Sequence, residues 1–520
     1  MNSSPRPPLT RATLALTAAT ALATAAQLPA APAPENPKPL NVLLFTADDM
    51  AWFSVATFGS PVHVPNVTPN LDRFATQSLS FTRAHVNFAI CQPSRGILGT
   101  GQYAHISGIE GFYHAPRPVT TVMGEFRAHG YLTGILGKVA HSTPDANYRW
   151  DFVHDQNELG HGRNPRIYAA YFREFLRDCK KKDKPFYFMC NSHDPHHPWV
   201  GEPADLKMRD KTYAMPSHIF TPAEVIVPKF LPDLPKVRED IARYCSSARR
   251  CDDTFGAIMK VLDDEGLADN TIVIFLSDNG ISTPFAKANN YYNSTRTPLM
   301  IRWPGKTKPG AKNETDFVSG IDYMPTVLEA CGFTTPKTVN GHSYVPLLLG
   351  EKQEGRDKVF TQIYENHEKK RFPMFAVEDA RYRLIYNPWS DGKYAFHAEP
   401  MAGLTWKTMV AASATDPRIR ARVEDMKYRT PLELYDIEKD PDALHNLAKD
   451  PKYADALNHL REALLDWMKQ YDQGILPVFA NFPDEQKRAA YMTAQKQLVQ
   501  SHKQGKKAAK SAGTSDEGDD

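Results

Sequence analysis

The sequence has little net charge, few cysteines and, after residue 40, no long apolar run. A net charge of +2 over 520 residues gives no reason to expect a nucleic-acid partner or an anionic membrane surface. No later apolar run approaches the roughly 20 residues needed to cross a bilayer, so we predict no membrane span. Six cysteines are too few for a disulfide scaffold in a chain of this length. The 42% of apolar residues is enough to bury a substantial core.

The two ends of the chain differ in composition from the rest. Arg6 and Arg11 precede a run of Leu, Ala and Thr from Ala12 to Ala26. This pattern resembles a secretory signal peptide with an Ala/Pro spacer over residues 1–35, and it predicts an exported protein, periplasmic or secreted. The alternative is a disordered Ala/Pro-rich tail. Residues 486–520 end in a basic run followed by an acidic run, and we predict a charged, disordered tail there.

The segment Cys91-Gln92-Pro93-Ser94-Arg95 is unusual for a plain core segment, because Pro and Arg both resist deep burial. Pro93 suits the first turn of a helix, so the segment is typical of a loop that leads into a helix. Cys91 then lies at a helix N-terminus, where free N–H groups favour an anion. Arg95 adds a planar cation suited to a tetrahedral oxyanion. The sequence therefore predicts a reactive position beside an anion site, the alternative being a buried cysteine near a surface arginine.

Oxygen-bearing side chains follow two apolar runs that are typical of buried strands. Asp48 and Asp49 come after the run from Leu40 to Thr46, and Asp278 and Asn279 follow the run Thr271–Leu276. Adjacent carboxylates repel one another unless a cation is present. An all-oxygen set favours a hard cation such as calcium. In open α/β sheets such sites lie beyond the carboxyl ends of the strands. The alternative for the aspartate pair is a solvated loop.

Basic and imidazole side chains follow two further short apolar runs. Lys138 and His141 come after one, and His193 and His196 come after the other. A lysine at a strand end can neutralise an anion, and a histidine can move a proton. The spacing of the histidines around 193–197 suits no common zinc pattern.

Four phrases together resemble the type I, formylglycine-dependent sulfatases: Cys-Gln-Pro-Ser-Arg with Thr100-Gly101, the aspartate pair, Ser-Asp-Asn-Gly at 277–280, and His-Asp-Pro-His-His-Pro at 193–198. The last phrase is similar to the heparan N-sulfatase branch. The resemblance covers roughly residues 38–480. It implies an α/β, alkaline-phosphatase-like fold with a large mixed sheet flanked by helices. A catalytic domain over 36–355 would precede a smaller α+β subdomain over 356–485 that contains an antiparallel sheet.

The resemblance also implies a maturation step and a set of site residues. A formylglycine-generating enzyme would oxidise Cys91, and the hydrated aldehyde would be the nucleophile. The implied calcium ligands are Asp48, Asp49, Asp278, Asn279 and the modified Cys91. The implied catalytic residues are Cys91, Arg95, Lys138, His141, His193, Asp278 and Lys287. The implied substrate-binding residues are His105, His196, His367 and Glu368.

Two departures from the heparan N-sulfatase pattern bear on the substrate. His141 lies three residues after Lys138, a form that resembles the iduronate-2-sulfatase branch. Lys287 stands where heparan N-sulfatase carries arginine, although a lysine is normal in other sulfatases. We predict an enzyme that removes sulfate ester or N-sulfate groups from a sulfated sugar. The alternatives are an arylsulfatase or iduronate-2-sulfatase-like O-sulfatase, a phosphonate or phosphodiester hydrolase of the same fold, and a non-catalytic carbohydrate-binding protein.

Overall fold

The apolar runs form the middle of a large sheet, as their composition predicts. The computed structural model describes residues 1, 4 and 38–511, with side chains through residue 498. The predicted signal peptide therefore lies largely outside the described residues. All the elements below belong to the contact unit Pro39–Asp520.

Fourteen strands are formed within residues 38–511. They are β1 (Asn41–Ala47), β2 (Leu79–Phe81), β3 (Ala84–His85), β4 (Leu132–Leu136), β5 (Phe152–His154), β6 (Phe186–Asn191), β7 (Thr271–Ser277), β8 (Leu299–Arg302), β9 (Lys312–Asn313), β10 (Val318–Ser319), β11 (Val359–Glu365), β12 (Arg371–Glu378), β13 (Tyr382–Tyr386) and β14 (Leu432–Asp436).

Sixteen α-helices lie in the same range, joined in places by short 3-10 turns. They are α1 (Pro69–Ala75), α2 (Cys91–Thr100), α3 (Ala104–Ser107), α4 (Val122–Ala128), α5 (Val139–Ser142), α6 (Pro165–Lys182), α7 (Pro203–Lys207), α8 (Pro235–Asp264), α9 (Tyr292–Thr295), α10 (Tyr323–Ala330), α11 (Val345–Leu348), α12 (Leu404–Ala412), α13 (Pro417–Tyr428), α14 (Ala454–Tyr471), α15 (Leu476–Phe479) and α16 (Glu485–Ser511).

The larger sheet has eight strands in the order β5-β4-β6-β1-β7-β8-β2-β9. Strands β4, β6, β1 and β7 are parallel neighbours, whereas β8 is antiparallel to both β7 and β2. The sheet is therefore mixed, as expected. In β1 and β7 every residue is buried, because helices cover both faces of a parallel sheet. The carboxyl ends of β1, β4, β6 and β7 consequently lie along one edge.

The smaller sheet is antiparallel, with the order β11-β12-β13-β14. Helix α14 packs against β12 and β13, with Leu460, Leu464 and Trp467 buried on one face. This arrangement confirms the predicted C-terminal antiparallel sheet. The boundary expected at residue 355 falls just before β11, and the division into two domains stays a prediction.

The predicted disordered tail is wrong for the first part of residues 486–520. Helix α16 begins at Glu485, with Met492 and Gln495 buried, and Gln495 accepts hydrogen bonds from Arg371 at 2.9 and 2.6 Å. Ala, Gln, Glu and Lys all have high helix propensity, and these contacts with β12 stabilise the helix where charge alone indicated a solvated segment.

Two further predictions concern the membrane and the cysteines. No helix in the described part of the chain is long and apolar enough to cross a membrane. Within residues 38–511, all six cysteines are free thiols. Their small number predicts no disulfide scaffold, and the free thiols of the described residues agree with this prediction.

Candidate active site

The carboxyl ends of four parallel strands and the start of one helix meet at a buried cluster of charged groups. Asp48 and Asp49 follow β1, and Asp278 and Asn279 follow β7; all four side chains are fully buried. The register that pairs Ala47 with Ser277 brings the two polar pairs to the same level of the sheet. A hydrogen bond of 3.1 Å from the Asp49 backbone N–H to Asp278 Oδ1 ties them together.

Cys91 is the first residue of α2, as the sequence predicts. Residue Ile90 before it is extended, and the helix begins directly afterwards. The thiol Sγ lies 3.9 Å from Asp49 Oδ1 and is buried. Burial and the neighbouring Asp48 raise the pKa of the Cys91 thiol well above its ordinary value. An unmodified Cys91 therefore stays protonated and is a poor thiolate nucleophile.

Arg95 is fully buried and uses three nitrogens to connect three strands. Nε and Nη2 lie 2.9 and 2.8 Å from Asp278 Oδ2. Nη1 donates to Thr46 Oγ1 at 2.6 Å and to Asn191 Oδ1 at 2.8 Å. The guanidinium thus fixes the ends of β1, β6 and β7 relative to α2. Thr46 and Asn191 belong to this arrangement, and the sequence analysis did not single them out.

Lys138 lies at the end of β4 and forms an ion pair with Asp48 Oδ2. Its backbone N–H donates to His193 Nε2 at 3.1 Å, so the predicted lysine and histidine lie together. Gly137 makes this turn feasible: its φ is +71°, and a Cβ there would overlap the Asn191 carbonyl oxygen. Asp155 Oδ1 lies 3.8 Å from His193 Nε2. Burial lowers the pKa of His193 to about 4, although Asp155 opposes the shift.

Lys287 completes the set of buried cations. Its Nζ lies 2.8 Å from Asp49 Oδ2 and 2.7 Å from Glu399 Oε2. Burial lowers the pKa of Lys287, but the charges of Asp49 and Glu399 outweigh burial and raise it well above its ordinary value. The ammonium therefore stays charged. His196 Nε2 lies between the same carboxylates, 3.9 Å from Asp49 and 3.5 Å from Glu399.

The acidic residues of the cluster fit a hard cation. Asn279 Oδ1 and Asp48 Oδ1 are buried and have no hydrogen-bond partner among the described residues, whereas Asp48 Oδ2 is paired with Lys138. Ligand atoms of Asp48, Cys91 and Asp278 all lie within 4.8 Å of one another. Burial and the Asp48 charge raise the pKa of Asp278, although the Arg95 guanidinium opposes the shift, so the carboxylates of the cluster are crowded. Oxygen donors of this kind are the ligands that calcium prefers.

His141 lies in α5, close to this cluster. Its ring packs edge-on against Phe112, with centroids 5.4 Å apart. Its Nδ1 is buried and has no hydrogen-bond partner among the described residues. Burial and the charge of Lys138 lower the pKa of His141 to about 2. The neutral imidazole has an unpartnered nitrogen that can accept a hydrogen bond, and the role of His141 in proton transfer stays a prediction.

His105 lies between β11 and the end of α14. Its Nδ1 lies 3.0 Å from Gln362 Oε1 and its Nε2 lies 2.6 Å from the Tyr471 carbonyl oxygen. Its ring stacks on Tyr103 and meets Trp467 edge-on. Both ring nitrogens therefore serve as a bridge from α3 to β11 and α14. The predicted substrate contact of His105 stays a prediction, and these contacts show a packing role.

His367 and Glu368 lie in the turn between β11 and β12, at the rim of the cluster. Glu368 pairs with His397 at 2.9 Å and with Lys370 at 2.7 Å. The charges of Glu399 and Lys287 both act on His367, so this imidazole lies near the buried lysine. The side chains of His367 and Glu368 are 36% and 29% exposed, which leaves both accessible from outside.

A buried ion network holds the loop that carries His193 and His196. Arg250 donates to Asp194 Oδ2 at 2.7 Å and to Oδ1 at 3.0 Å, and Arg163 pairs with the same carboxylate. Arg163 also donates to the His196 carbonyl oxygen at 2.9 Å. The Asp194 and Arg250 side chains are fully buried. This network determines where the two imidazoles lie, and sequence analysis assigned it no role.

A separate cavity of about 520 Å³ lies between α14 and the segments around Asn87 and Asp322. Tyr103, Trp467 and Tyr471 are among its lining residues, but Cys91 and the charged cluster are not. We therefore place the chemistry at the buried cluster, where nucleophile, cations and carboxylates converge.

Comparison with known families agrees with this geometry. A family model described as "Sulfatase" matches residues 40–333, more than half of the chain. The chain belongs to the sulfatase family. A second model, described as "N-sulphoglucosamine sulphohydrolase, C-terminal", matches residues 281–397. Family membership makes this protein a sulfuric ester hydrolase and confirms the resemblance carried by the four sequence motifs.

Relatives of this sulfatase include two human enzymes. It is 29% identical to human N-sulphoglucosamine sulphohydrolase over 461 residues, which covers 83% of this chain and 90% of that one. It is 25% identical to human arylsulfatase A over 478 residues, covering 79% and 83% of the two chains.

Solved structures show that this sulfatase has the alkaline-phosphatase-like fold. One is a protein in complex with its substrate D-glucosamine-2-N,6-O-disulfate, with a TM-score of 0.62 at 18% identity, covering 84% of this chain and 99% of that one. Another is the phosphonate monoester hydrolase of Agrobacterium radiobacter, with a TM-score of 0.61 at 21% identity, covering 83% and 96%.

Proposed function

We propose that this sulfatase removes sulfate from a sulfated sugar, with the N-sulfate group of an amino sugar as its preferred substrate. The observation that carries the reaction is the position of Cys91, which begins α2 at 3.9 Å from Asp49 and lies among buried cations. The preference for an amino sugar is supported by the human N-sulphoglucosamine sulphohydrolase relative and by the C-terminal family model over 281–397.

The proposal includes formylglycine at position 91 and calcium at the acidic cluster. Asp48, Asp49, Asp278, Asn279 and the modified residue 91 would hold the ion, which supplies a Lewis acid for the sulfate oxygens when bound. Formylglycine at position 91, once hydrated, would supply the attacking hydroxyl. A maturation enzyme and export from the cytoplasm belong to the same proposal.

The chain's own residues position and neutralise the sulfate. Lys138 and Lys287 pair with Asp48 and Asp49, and their ammonium groups would bind sulfate oxygens. Arg95 holds Asp278 in place through its two short contacts. His193, held by the Lys138 backbone N–H at Nε2, would act beside the leaving group. His141, whose buried Nδ1 has no hydrogen-bond partner among the described residues, would take a proton from residue 91.

A second candidate is a phosphonate monoester hydrolase, favoured by the fold shared with the Agrobacterium radiobacter enzyme. Sulfate and phosphonate monoesters present similar tetrahedral groups, and the buried cations would attract either one. An O-sulfatase, with human arylsulfatase A as a relative, is the third substrate class to compare.

The test is a direct comparison of turnover on N-sulfoglucosamine, nitrophenyl sulfate, nitrophenyl phosphate and a phenylphosphonate monoester. We expect the highest kcat/KM on N-sulfoglucosamine. A higher kcat/KM on the phosphonate would replace the proposal with the second candidate.

Intact-mass analysis of the peptide that contains residue 91 tests the nucleophile. We expect formylglycine after expression in a host with the maturation enzyme, and loss of turnover in Cys91→Ala. Cys331→Ala is the matched control, since this cysteine lies outside the cluster. Full activity in Cys91→Ala would contradict the mechanism.

A further inference from the structure

A carboxylate from the C-terminal part of the chain enters the candidate active site. Glu399 begins a 3-10 turn, Glu399–Ala402, that follows β13. Its Oε2 lies 2.7 Å from Lys287 Nζ, and its Oε1 lies 3.5 Å from His196 Nε2. Ser282 also donates to Oε1, at 3.3 Å. Neither the family motifs nor the sequence patterns point to Glu399.

Glu399 lies on the open side of the cluster. Its side chain is 27% exposed, whereas those of Lys287 and Asp49 are 1% and 0% exposed. Lys287 Nζ lies between the two carboxylates, and Asp49 in turn approaches Cys91. One ammonium group therefore separates Glu399 from the residues around Cys91, and Glu399 is the most exposed of these three side chains.

The charges around Glu399 keep it ionised. Burial raises its pKa, but the charges of Lys287 and His196 outweigh burial and lower it below its ordinary value. An ionised carboxylate only accepts hydrogen bonds. A substrate group that faces it must therefore carry an N–H or O–H, and a second anionic group there would be repelled.

We infer that Glu399 is a specificity-determining residue, which accepts a hydrogen bond from an N–H or O–H next to the transferred sulfate and rejects substrates with a second sulfate there. The inference rests on the proposed function, because it concerns the sugar around the same sulfate group. Glu399 also gives the C-terminal part of the chain a role in substrate selection, through its contact with Lys287.

The experiment compares two substrates that differ at one position. They are glucosamine N-sulfate with a free 3-hydroxyl and glucosamine N-sulfate with a 3-O-sulfate. We expect the wild-type enzyme to prefer the first, and Glu399→Gln to reduce the ratio of kcat/KM values by roughly 10- to 100-fold, the range for one hydrogen bond to a charged group. Glu399→Asp keeps the charge and should keep the rejection of the disulfated sugar.

A matched control separates this effect from loss of one negative charge. Glu424→Gln removes an exposed carboxylate from α13 in the same part of the chain, and it should leave the ratio unchanged. Binding of both sugars to Cys91→Ala, with and without Glu399→Gln, gives a second readout that needs no turnover.

The outcomes distinguish the inference from the proposed function. An unchanged substrate ratio in Glu399→Gln, with an active wild-type enzyme, would overturn the inference and leave the proposed function standing. A wild-type enzyme that hydrolyses only the phosphonate would overturn the proposed function, and the inference with it. Equal binding of both sugars by the two Cys91→Ala proteins would also overturn the inference.

Discussion

Arg95 and Asp278 form a fully buried two-nitrogen contact, with Nε and Nη2 at 2.9 and 2.8 Å from Oδ2. The pair joins the second turn of the helix that carries Cys91 to the end of β7. Removal of one partner from a buried ion pair leaves an uncompensated charge. The contact is therefore a structural requirement of the site as well as part of its charge balance.

Arg95→Met should destabilise the protein by about 3–5 kcal/mol, the cost of leaving a buried carboxylate unpaired, and should abolish sulfate release. Urea denaturation and an activity assay measure the two effects. Arg166→Met, at an exposed position, is the control and should change neither. Wild-type stability in Arg95→Met would contradict the finding that this contact holds the site together.

Calcium should raise the thermal stability of the sulfatase, because the acidic cluster binds it only in the folded state. At an ion concentration 100 times the Kd, the expected gain is about 2.7 kcal/mol, and a chelator should remove it together with activity. Asp48→Asn should reduce the calcium-dependent shift, whereas the exposed Asp263→Asn should retain it. Thermal unfolding with and without calcium, and metal analysis of the purified protein, check this. A calcium shift of full size in Asp48→Asn would argue against this ligand set.

Asp194→Asn should destabilise the protein by about 3–5 kcal/mol, because Arg250 and Arg163 would lose their shared buried carboxylate. The same substitution should lower kcat, since the loop that carries His193 would shift. The control is Asp233→Asn, whose partner Arg238 is 37% exposed; an exposed pair contributes about 0–1 kcal/mol. Similar unfolding midpoints for the two variants would show that the network contributes little.

Asp252 lies well away from the active site. It should make the free energy of unfolding depend on pH. Burial raises the pKa of Asp252 from 3.8 to about 7, although Asn70 and Leu71 donate hydrogen bonds to it. Between pH 3.8 and about pH 7, the Asp252 carboxyl is ionised in the unfolded chain and protonated in the folded protein. The stabilisation is therefore complete below pH 3.8, falls by up to about 1.4 kcal/mol per pH unit as pH rises, and is lost above pH 7.

Denaturation measured from pH 4 to pH 8 tests this dependence. Asp252→Asn should show a flatter profile than the wild-type protein over that window. Asp269→Asn, an exposed carboxyl at the end of the same region, should follow the wild-type profile. Identical slopes for Asp252→Asn and the wild-type protein would refute the assignment.

Much of the fold and of the site could be predicted because the signals are local. The apolar runs that became β1 and β7 identify buried strands, and the polar pairs at their ends follow directly. The start of α2 at Cys91 could be predicted from Pro93. In contrast, strand β12 was not predicted, and the disordered tail predicted at the position of α16 was wrong for its first part. No prediction covered residues 371–378, and charge indicated exposure for the tail, but Arg371 and Gln495 bind each other across the two elements.

The sequence by itself determined the polar groups at the ends of β1 and β7 and the start of α2 at Cys91, because strand ends and helix starts depend on neighbouring residues. Only the tertiary structure decided which groups are partners. Lys287 meets Glu399, Arg95 meets Asp278 and Arg163 meets Asp194 across long stretches of chain, and His105 turns toward Gln362 and Tyr471. Such pairings depend on the packing of distant elements, which no local pattern encodes, and in Glu399 they bring a carboxylate into the site that no sequence motif indicates.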